Sequence, residues 1–208
     1  MKSTMQTTPL LISSMLRYGS TIHASAKIIT WTGTGSRTTT FAEVGTKAAQ
    51  LAHALRGLGI TGDQRVATFM WNNAEHLIAY LAVPSMGAVL HALNIRLFPP
   101  QIIYVTTHAD NKVVIVDNTL AQPFSGLLPH LKTLRHVIVN GPISDEVRAA
   151  LEAPEHIESV HDFDTLIADQ PTSFDWPEDV DENDASSMCY TSGTTGNPKG
   201  VAYSHRCN

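Results

Sequence analysis

Short runs of β-branched residues alternate along the chain with amphipathic segments of helical length. The clearest runs are residues 65–70, 88–92, 112–117 and 136–140. Residues 113–116 are apolar without interruption, which is typical of a strand covered on both faces and predicts a central position. Strands that alternate with helices indicate βαβ units, so the pattern predicts an α/β fold with mainly parallel sheets flanked by helices.

Capping residues mark where the helices begin. Thr40 and Glu43 have the spacing of a capping box, in which the Thr hydroxyl and the Glu carboxylate each accept a hydrogen bond from the other residue's backbone N–H. Residues 27–31 and 37–41 flank a Gly-rich turn and predict a hairpin just before this box. Helix starts are predicted at three places, marked by Thr40 with Glu43, by Asn72 or Asn73, and by Pro99 or Pro100.

Residues 144–184 differ from the rest of the chain in charge. Of 19 acidic residues, 14 lie there, and Arg148 is the segment's single Lys or Arg. Its prolines and its short helical pieces at 146–151 and 162–168 predict a loop-rich acidic excursion at the surface. The remaining residues carry a balance of +8 and suit an anionic ligand. The overall net charge of −5 argues against a general nucleic-acid binder.

Cysteine content and hydropathy indicate the compartment. Cys189 and Cys207 are the two cysteines, so the sequence has no disulfide framework, and a reducing cytoplasm is the predicted location. The most apolar stretch, residues 77–93, is interrupted by Pro84 and Gly87. It therefore predicts a buried helix that runs into a strand, and no transmembrane segment. Peripheral contact with a membrane stays open.

Residues 190–200 concentrate the candidate chemistry, directly after a strand-like run. Glycines let backbone N–H groups approach phosphate oxygens, hydroxyls donate hydrogen bonds, and lysine offsets negative charge. The segment is not a Walker A loop, because Pro198 precedes Lys199 and Gly200 follows it. A flexible loop without a ligand is the alternative that composition alone allows. The segment reads Tyr190-Thr191-Ser192-Gly193-Thr194-Thr195-Gly196-Asn197-Pro198-Lys199-Gly200.

This segment resembles the phosphate-binding motif of the adenylate-forming, AMP-binding enzymes. Residues 39–44 and 86–94 are similar to two further motifs of that family, and residues 94–99, 108–110 and 113–117 are most similar to its fatty-acid CoA ligase branch. The resemblance implies that residues 1–208 form an incomplete large N-terminal domain of the adenylate-forming fold. It also implies a medium- or long-chain carboxylic acid as substrate.

In such enzymes a carboxylate attacks the α-phosphorus of ATP, giving an acyl-adenylate and pyrophosphate, and coenzyme A then displaces AMP. The resemblance implies ATP, Mg²⁺ and coenzyme A as ligands, with Thr191 also near the metal and Lys199 as a possible catalytic cation. His205 is implied to lie toward the acyl site, although a hydrogen-bonded structural histidine is the alternative. The implied phosphate contacts are Thr191, Ser192, Gly193, Thr194, Thr195, Gly196, Asn197, Pro198, Lys199 and Gly200.

The resemblance also implies missing parts, because family members are much longer than 208 residues. Everything after the phosphate loop is absent, including the C-terminal lid that completes the site, so activity of this chain alone is doubtful. Three hypotheses stay open. The chain is the leading part of a fatty-acid CoA ligase, a truncated non-catalytic remnant that binds nucleotide or a paralogue, or an adenylating enzyme for aryl or amino acids. A homo-oligomer and a partner chain that supplies the missing half both stay open.

Overall fold

Two sheets form the framework of the protein. The computed structural model describes residue 1, residues 3–191 and residues 196–208. The smaller sheet is an antiparallel hairpin of β1 (Lys27–Trp31) and β2 (Ser36–Thr40). The larger sheet contains β3 (Arg65–Phe69), β4 (Val89–Ala92), β5 (Asn111–Asp117), β6 (His136–Asn140), β7 (Ser159–Asp162), β8 (Ala185–Thr191) and β9 (Lys199–Ser204).

Helices cover both faces of the larger sheet. They are α1 (Ile12–Thr21), α2 (Phe41–Gly57), α3 (Ala74–Ser85), α4 (Pro99–His108), α5 (Asn118–Ser125), α6 (Asp145–Glu152) and α7 (Phe163–Ala168). Single 3-10 turns occupy Leu128–His130 and His205–Cys207. Among the residues that the structure describes, no helix combines the length and apolar character needed to cross a membrane.

The larger sheet is mainly parallel, which confirms the predicted α/β class. Its strand order is β7-β6-β5-β3-β4-β8-β9, and each neighbouring pair from β7 to β8 is parallel. The last strand, β9, pairs with β8 in the antiparallel sense. The chain thus builds outward from β3 in both directions.

The continuous apolar run in β5 fills two cores at once. Val113 and Ile115 belong to the core cluster under α2 and α3. Val114 and Val116 belong to the opposite cluster, where they join Phe124 of α5. Because successive strand side chains point to opposite faces, a strand covered on both faces needs apolar residues at every position.

The predicted helix starts are present in the structure. The Thr40 hydroxyl accepts a hydrogen bond from the Glu43 N–H at 3.3 Å, and the Thr40 N–H donates to the Glu43 carboxylate at 2.6 Å. The side chain of Asn73 caps α3 by accepting from the His76 N–H at 2.8 Å. Pro99 is the first residue of α4, where its missing N–H costs little.

The first half of residues 144–184 differs from the predicted surface excursion. Helices α6 and α7 match the predicted helical pieces at 146–151 and 162–168, but the segment also contains β7, which extends the parallel sheet beyond β6. Phe163 and Ile167 of α7 are only 0% and 2% exposed. Acidic residues are frequent in this segment because its outer face is exposed to solvent. Only a few of its apolar residues are buried in the core. Residues 169–184 are irregular and largely exposed.

An ion pair attaches the hairpin to α3. The Arg37 guanidinium donates two hydrogen bonds, of 2.8 and 2.6 Å, to the carboxylate of Glu75, which is 3% exposed. The Thr30 hydroxyl also accepts from the Ala74 N–H at the start of α3. Burial is the largest single effect and raises the pKa of Glu75, but the hydrogen bonds and charge of Arg37, a backbone hydrogen bond and the charge of Lys47 together outweigh it. The net pKa therefore lies below its usual range. Glu75 is therefore charged at neutral pH.

Replacing Arg37 with methionine is expected to lower the free energy of unfolding at pH 7 by about 2 kcal/mol, because the buried Glu75 carboxylate loses its partner. The lowered folded pKa means that the pair stabilises the protein fully above about pH 4.5, and that this contribution is lost as the pH falls through the folded pKa. Urea unfolding at pH 7 and at pH 4 measures the free energy of unfolding of the wild type and of Arg37→Met. The difference between the two values should be smaller at pH 4. Arg17→Met is the control, since the Arg17–Glu178 pair is exposed, and an equal loss there would contradict this expectation.

Candidate functional site

A crevice opens at the carboxyl ends of β3 and β4. The helix after β3 packs against one core cluster and the helix after β4 against the other, so the two connections leave the sheet on opposite faces. Open α/β sheets bind ligands at the point where the connections after two adjacent strands leave on opposite faces of the sheet. A cavity of 390 Å³ lies at this point, lined in part by residues 70–72, by residues 93–97, and by Cys189 and Tyr190 of β8.

Asp117 holds the turn that carries Trp71, a residue of the cavity wall. Its carboxylate is 4% exposed and accepts hydrogen bonds from the Trp71 N–H at 2.6 Å, the Asn73 amide at 3.0 Å and the Asn140 amide at 2.7 Å. These bonds join the turn after β3 to the carboxyl ends of β5 and β6. The sequence indicates Asp117 only as the end of a strand, because its partners lie in two other segments of the chain.

His76 forms part of the cavity wall and uses both ring nitrogens for structure. Its Nδ1 donates to the Trp71 carbonyl at 3.0 Å, and its Nε2 accepts from the Thr68 hydroxyl at 2.9 Å. Burial lowers the pKa of His76 despite the opposing effect of the Trp71 carbonyl. Because both nitrogens of this neutral ring are hydrogen-bonded within the protein, His76 has a fixed orientation in the cavity wall and no free nitrogen that could act as a general base.

His91 is more deeply buried, with 1% of its surface exposed. The Asn111 side-chain amide donates to the Nδ1 of His91 at 2.9 Å and to the Thr106 carbonyl at 3.0 Å. Burial lowers the pKa of His91 to about 4. His91 is therefore neutral at pH 7. Sequence reasoning gave neither His76 nor His91 a role, because their partners lie on other elements.

The hairpin of β8 and β9 brings together the two ends of the predicted phosphate loop. Thr191 and Lys199 are paired across these strands, so a hydroxyl and a cation face each other at the base of the loop. Gly196 has φ +89°, a backbone conformation that favours glycine. Lys199 and Asn197 are exposed, whereas Pro198 is buried. Four of the predicted contacts lie outside the described residues, namely Ser192, Gly193, Thr194 and Thr195.

The described residues do not form a metal site by themselves. No group of three or more His, Cys, Asp or Glu side chains is close enough within them to hold an ion. Thr191 offers one neutral hydroxyl, whereas Mg²⁺ prefers carboxylate and phosphate oxygens with nearly octahedral geometry. The Mg²⁺ implied by the sequence therefore lacks protein ligands in the described part of the chain.

His205 lies away from the crevice. It is 3% exposed, and its Nδ1 accepts from the Ile12 N–H at 3.3 Å, at the start of α1. Burial lowers the pKa of His205, opposed by the nearby Asp184 carboxylate. The cavity that it lines is a separate one, shared with residues 8–11. His205 thus joins the end of β9 to the N-terminal helix.

Comparison with known proteins finds matches along most of the chain. The sequence matches the family described as AMP-binding enzyme across residues 21–207. It is 43% identical over 201 residues to a 3-methylmercaptopropionyl-CoA ligase of Ruegeria pomeroyi, covering 95% of this chain and 36% of that protein. It is 40% identical over 201 residues to a medium-chain-fatty-acid–CoA ligase of Ectopseudomonas oleovorans, covering 95% of this chain and 35% of that protein.

The fold matches as well. The crystal structure of the anthranilate CoA ligase AuaEII in complex with anthranoyl-AMP aligns with a TM-score of 0.81 and 25% identity, covering 99% of this chain and 37% of that protein. This chain therefore spans about a third of the length of its curated relatives. Because the family match extends over residues 21–207, the chain belongs to the AMP-binding enzyme family.

Proposed function

We propose that this chain supplies the phosphate loop and part of the acid-binding crevice of an ATP-dependent acyl-CoA ligase for a medium- or long-chain carboxylic acid. The observation that carries the proposal is the position of the 390 Å³ cavity, which adjoins the strand leading into the loop. Its walls include Tyr190, the residue before Thr191, and Thr191 faces Lys199 across the hairpin. Acid and ATP phosphates would then meet at one edge of the sheet.

The proposed first step moves negative charge onto a leaving group. A carboxylate oxygen of the acid attacks the α-phosphorus of ATP, and the bond to the bridging oxygen of pyrophosphate breaks. Lys199 and the loop's N–H and hydroxyl donors stabilise the charge that develops on pyrophosphate. The thiol of coenzyme A then attacks the acyl carbon, loses its proton, and releases AMP.

Ten residues are proposed as phosphate contacts, by hydroxyl, by backbone N–H, by loop geometry or by charge. The proposal assigns no step to Mg²⁺, and Thr191 would contact the ion only when it arrives bound to ATP. The contacts are Thr191, Ser192, Gly193, Thr194, Thr195, Gly196, Asn197, Pro198, Lys199 and Gly200.

We also place the protein in the cytoplasm, because both cysteines are free thiols.

The cavity wall supports an aliphatic acid. Met70, Leu93, Ile95, Leu97 and Val105 give it apolar surface that suits a hydrocarbon tail. A short thioether acid is the second candidate, favoured by the 43% identity to a 3-methylmercaptopropionyl-CoA ligase. The two candidates differ in tail length and share the same adenylation chemistry.

Acid-dependent exchange of labelled pyrophosphate into ATP tests the proposal. Because the proposal assigns residues 1–208 only part of the site, the full-length protein is incubated with MgATP and a panel of octanoate, laurate, 3-(methylthio)propionate, benzoate and an amino acid. Exchange with the aliphatic acids, followed by a CoA thioester detected by mass spectrometry, supports the proposal. Binding of ATP without exchange by any acid would instead indicate a non-catalytic nucleotide-binding protein, and exchange restricted to benzoate or the amino acid would indicate another branch.

Replacing Lys199 with methionine is expected to raise the Kd for MgATP about ten- to a hundredfold, because a charge-assisted contact with phosphate is lost. The residue is exposed at the start of β9, so the fold should tolerate the change. Isothermal titration calorimetry measures the Kd. Lys27→Met on β1 is the matched control, since Lys27 is equally exposed but lies on the separate hairpin. A similar Kd in both variants and the wild type would exclude Lys199 as a phosphate contact.

A further inference from the structure

We infer that Tyr190 is a positioning residue that, together with His108, fixes both ends of the phosphate loop. The inference rests on the proposed function, because it concerns the loop that would bind ATP. Tyr190 is the residue before Thr191 on β8, and its register partner on β9 is Gly200. Its side chain therefore lies where both strands leave the sheet.

A hydrogen bond ties Tyr190 to the C-terminus of α4. The Tyr190 hydroxyl and the Nδ1 of His108 are 2.7 Å apart. Burial raises the pKa of Tyr190, so the phenol keeps its proton at neutral pH and the bond is available. Because α4 follows the cavity segment 93–97, this bond connects the cavity wall to the loop through one helix.

Three aromatic or imidazole rings surround the Tyr190 ring. The ring centroid of His91 lies 5.2 Å away, that of His108 lies 5.8 Å away, and that of Tyr104 lies 6.5 Å away. The rings of His108 and Tyr104 each contact the Tyr190 ring edge to face, at an interplanar angle of 86°. His108 and Tyr104 lie one turn apart on α4, and their rings stack on each other. Such packing holds the ring in one orientation, which a single exposed hydrogen bond would not do alone.

The absence of a side chain at Gly200 lets the Tyr190 ring contact the backbone of β9. A Cβ atom at this position would be 3.1 Å from Cζ and 3.3 Å from the hydroxyl oxygen of Tyr190, closer than ordinary van der Waals contact. Its backbone does not have a positive φ, in contrast to Gly196. Gly200 therefore leaves room for the close approach of the Tyr190 ring, whereas Gly196 adopts a backbone conformation that favours glycine. One ring thus contacts both strands at the base of the loop.

Hydrogen exchange and nucleotide binding test this inference with the full chain. Tyr190→Phe, His108→Phe and the double variant remove the hydrogen bond while a ring remains at each position. Amide exchange of residues 196–201 without nucleotide should become about three- to tenfold faster in each variant, with a similar rise in the Kd for MgATP. The double variant should have the same exchange rate and the same Kd for MgATP as either single variant, because each single substitution already removes the one bond that the two side chains share. Exchange in β3 and β5 should not change.

Two further variants separate positioning from general packing. Tyr203→Phe is the matched control, since this tyrosine of β9 contacts Cys189 and not His108, and its loop exchange should equal that of the wild type. Gly200→Ala should speed exchange like Tyr190→Phe, because the new methyl group displaces the ring. Additive effects of Tyr190→Phe and His108→Phe, or equal effects in Tyr203→Phe, would overturn the inference.

The results also distinguish this inference from the proposed function. If the wild-type chain does not bind MgATP but exchange responds as expected, the positioning role is supported and the ATP-binding function fails. If MgATP binds and neither exchange nor Kd changes in Tyr190→Phe, the positioning role is overturned and the proposed function stands. Unchanged exchange together with no binding would overturn both.

Discussion

Replacing Phe163 with alanine is expected to lower the free energy of unfolding by about 3–5 kcal/mol. The side chain is fully buried, at 0% exposure, and belongs to the core cluster that α2 and α3 share. Its loss removes apolar contacts and leaves a cavity that the surrounding side chains fill only partly. Urea unfolding at pH 7 measures the change. The result would show that this acidic part of the chain is anchored in the main core.

Thr165→Ala on the same helix is the matched control. Thr165 is exposed, so its replacement should change the free energy of unfolding by less than about 0.5 kcal/mol. If Phe163→Ala also cost less than about 1 kcal/mol, α7 would be a surface element, as the charge pattern alone predicts. A large loss confined to Phe163→Ala would support the packing seen in the structure.

Acidification is expected to destabilise the protein through His91, by roughly 3 kcal/mol between pH 6.5 and pH 4. The folded pKa of about 4 lies below the usual value of 6.5, so the unfolded chain binds the proton more readily. The stability that neutral His91 provides is therefore complete above pH 6.5 and is lost as the pH falls through the folded pKa. The physical cause is burial, because an imidazolium at this position would lose its hydration.

A comparison of pH profiles isolates this effect. His91→Gln cannot titrate, so its free energy of unfolding should fall less steeply than that of the wild type between pH 6.5 and pH 4. His23→Gln, at an exposed turn, should keep the wild-type slope. Parallel profiles for the wild type and His91→Gln would contradict the buried, neutral state of His91.

Local signals predicted the regular elements well. The apolar run of β5, the capping box of α2 and the Asn cap of α3 each depend on neighbours within a few residues, and all three are present. Helix α1 and strand β7 were not predicted. Strand β7 is short, with every residue only half-buried, so its sequence carries no strong apolar pattern. It exists because β6 offers an unpaired edge.

The phosphate contacts of residues 190–200 stay a prediction, whereas the family that their motif indicates is confirmed. The hydroxyls, glycines and lysine of residues 190–200 indicated phosphate binding, and the family match over residues 21–207 agrees with the resemblance they showed. The wall of the cavity was not predicted. His76, His91 and Asp117 acquire their roles from hydrogen bonds to other elements, which no spacing along the chain encodes. The bond between His205 and the start of α1 was likewise not predicted.

By itself, the sequence determined the α/β class, the main strands and helix caps, and the family to which the phosphate motif belongs. Each of these depends on side-chain periodicity, on caps three residues apart, or on a contiguous motif, and all are local properties of the chain. Only the tertiary structure decided that acidic α7 joins the core, that Gly200 makes room for Tyr190, and that His91 remains neutral. These outcomes depend on burial and on contacts between different elements of the fold, so their free energies arise only when the whole sheet and its helices pack together.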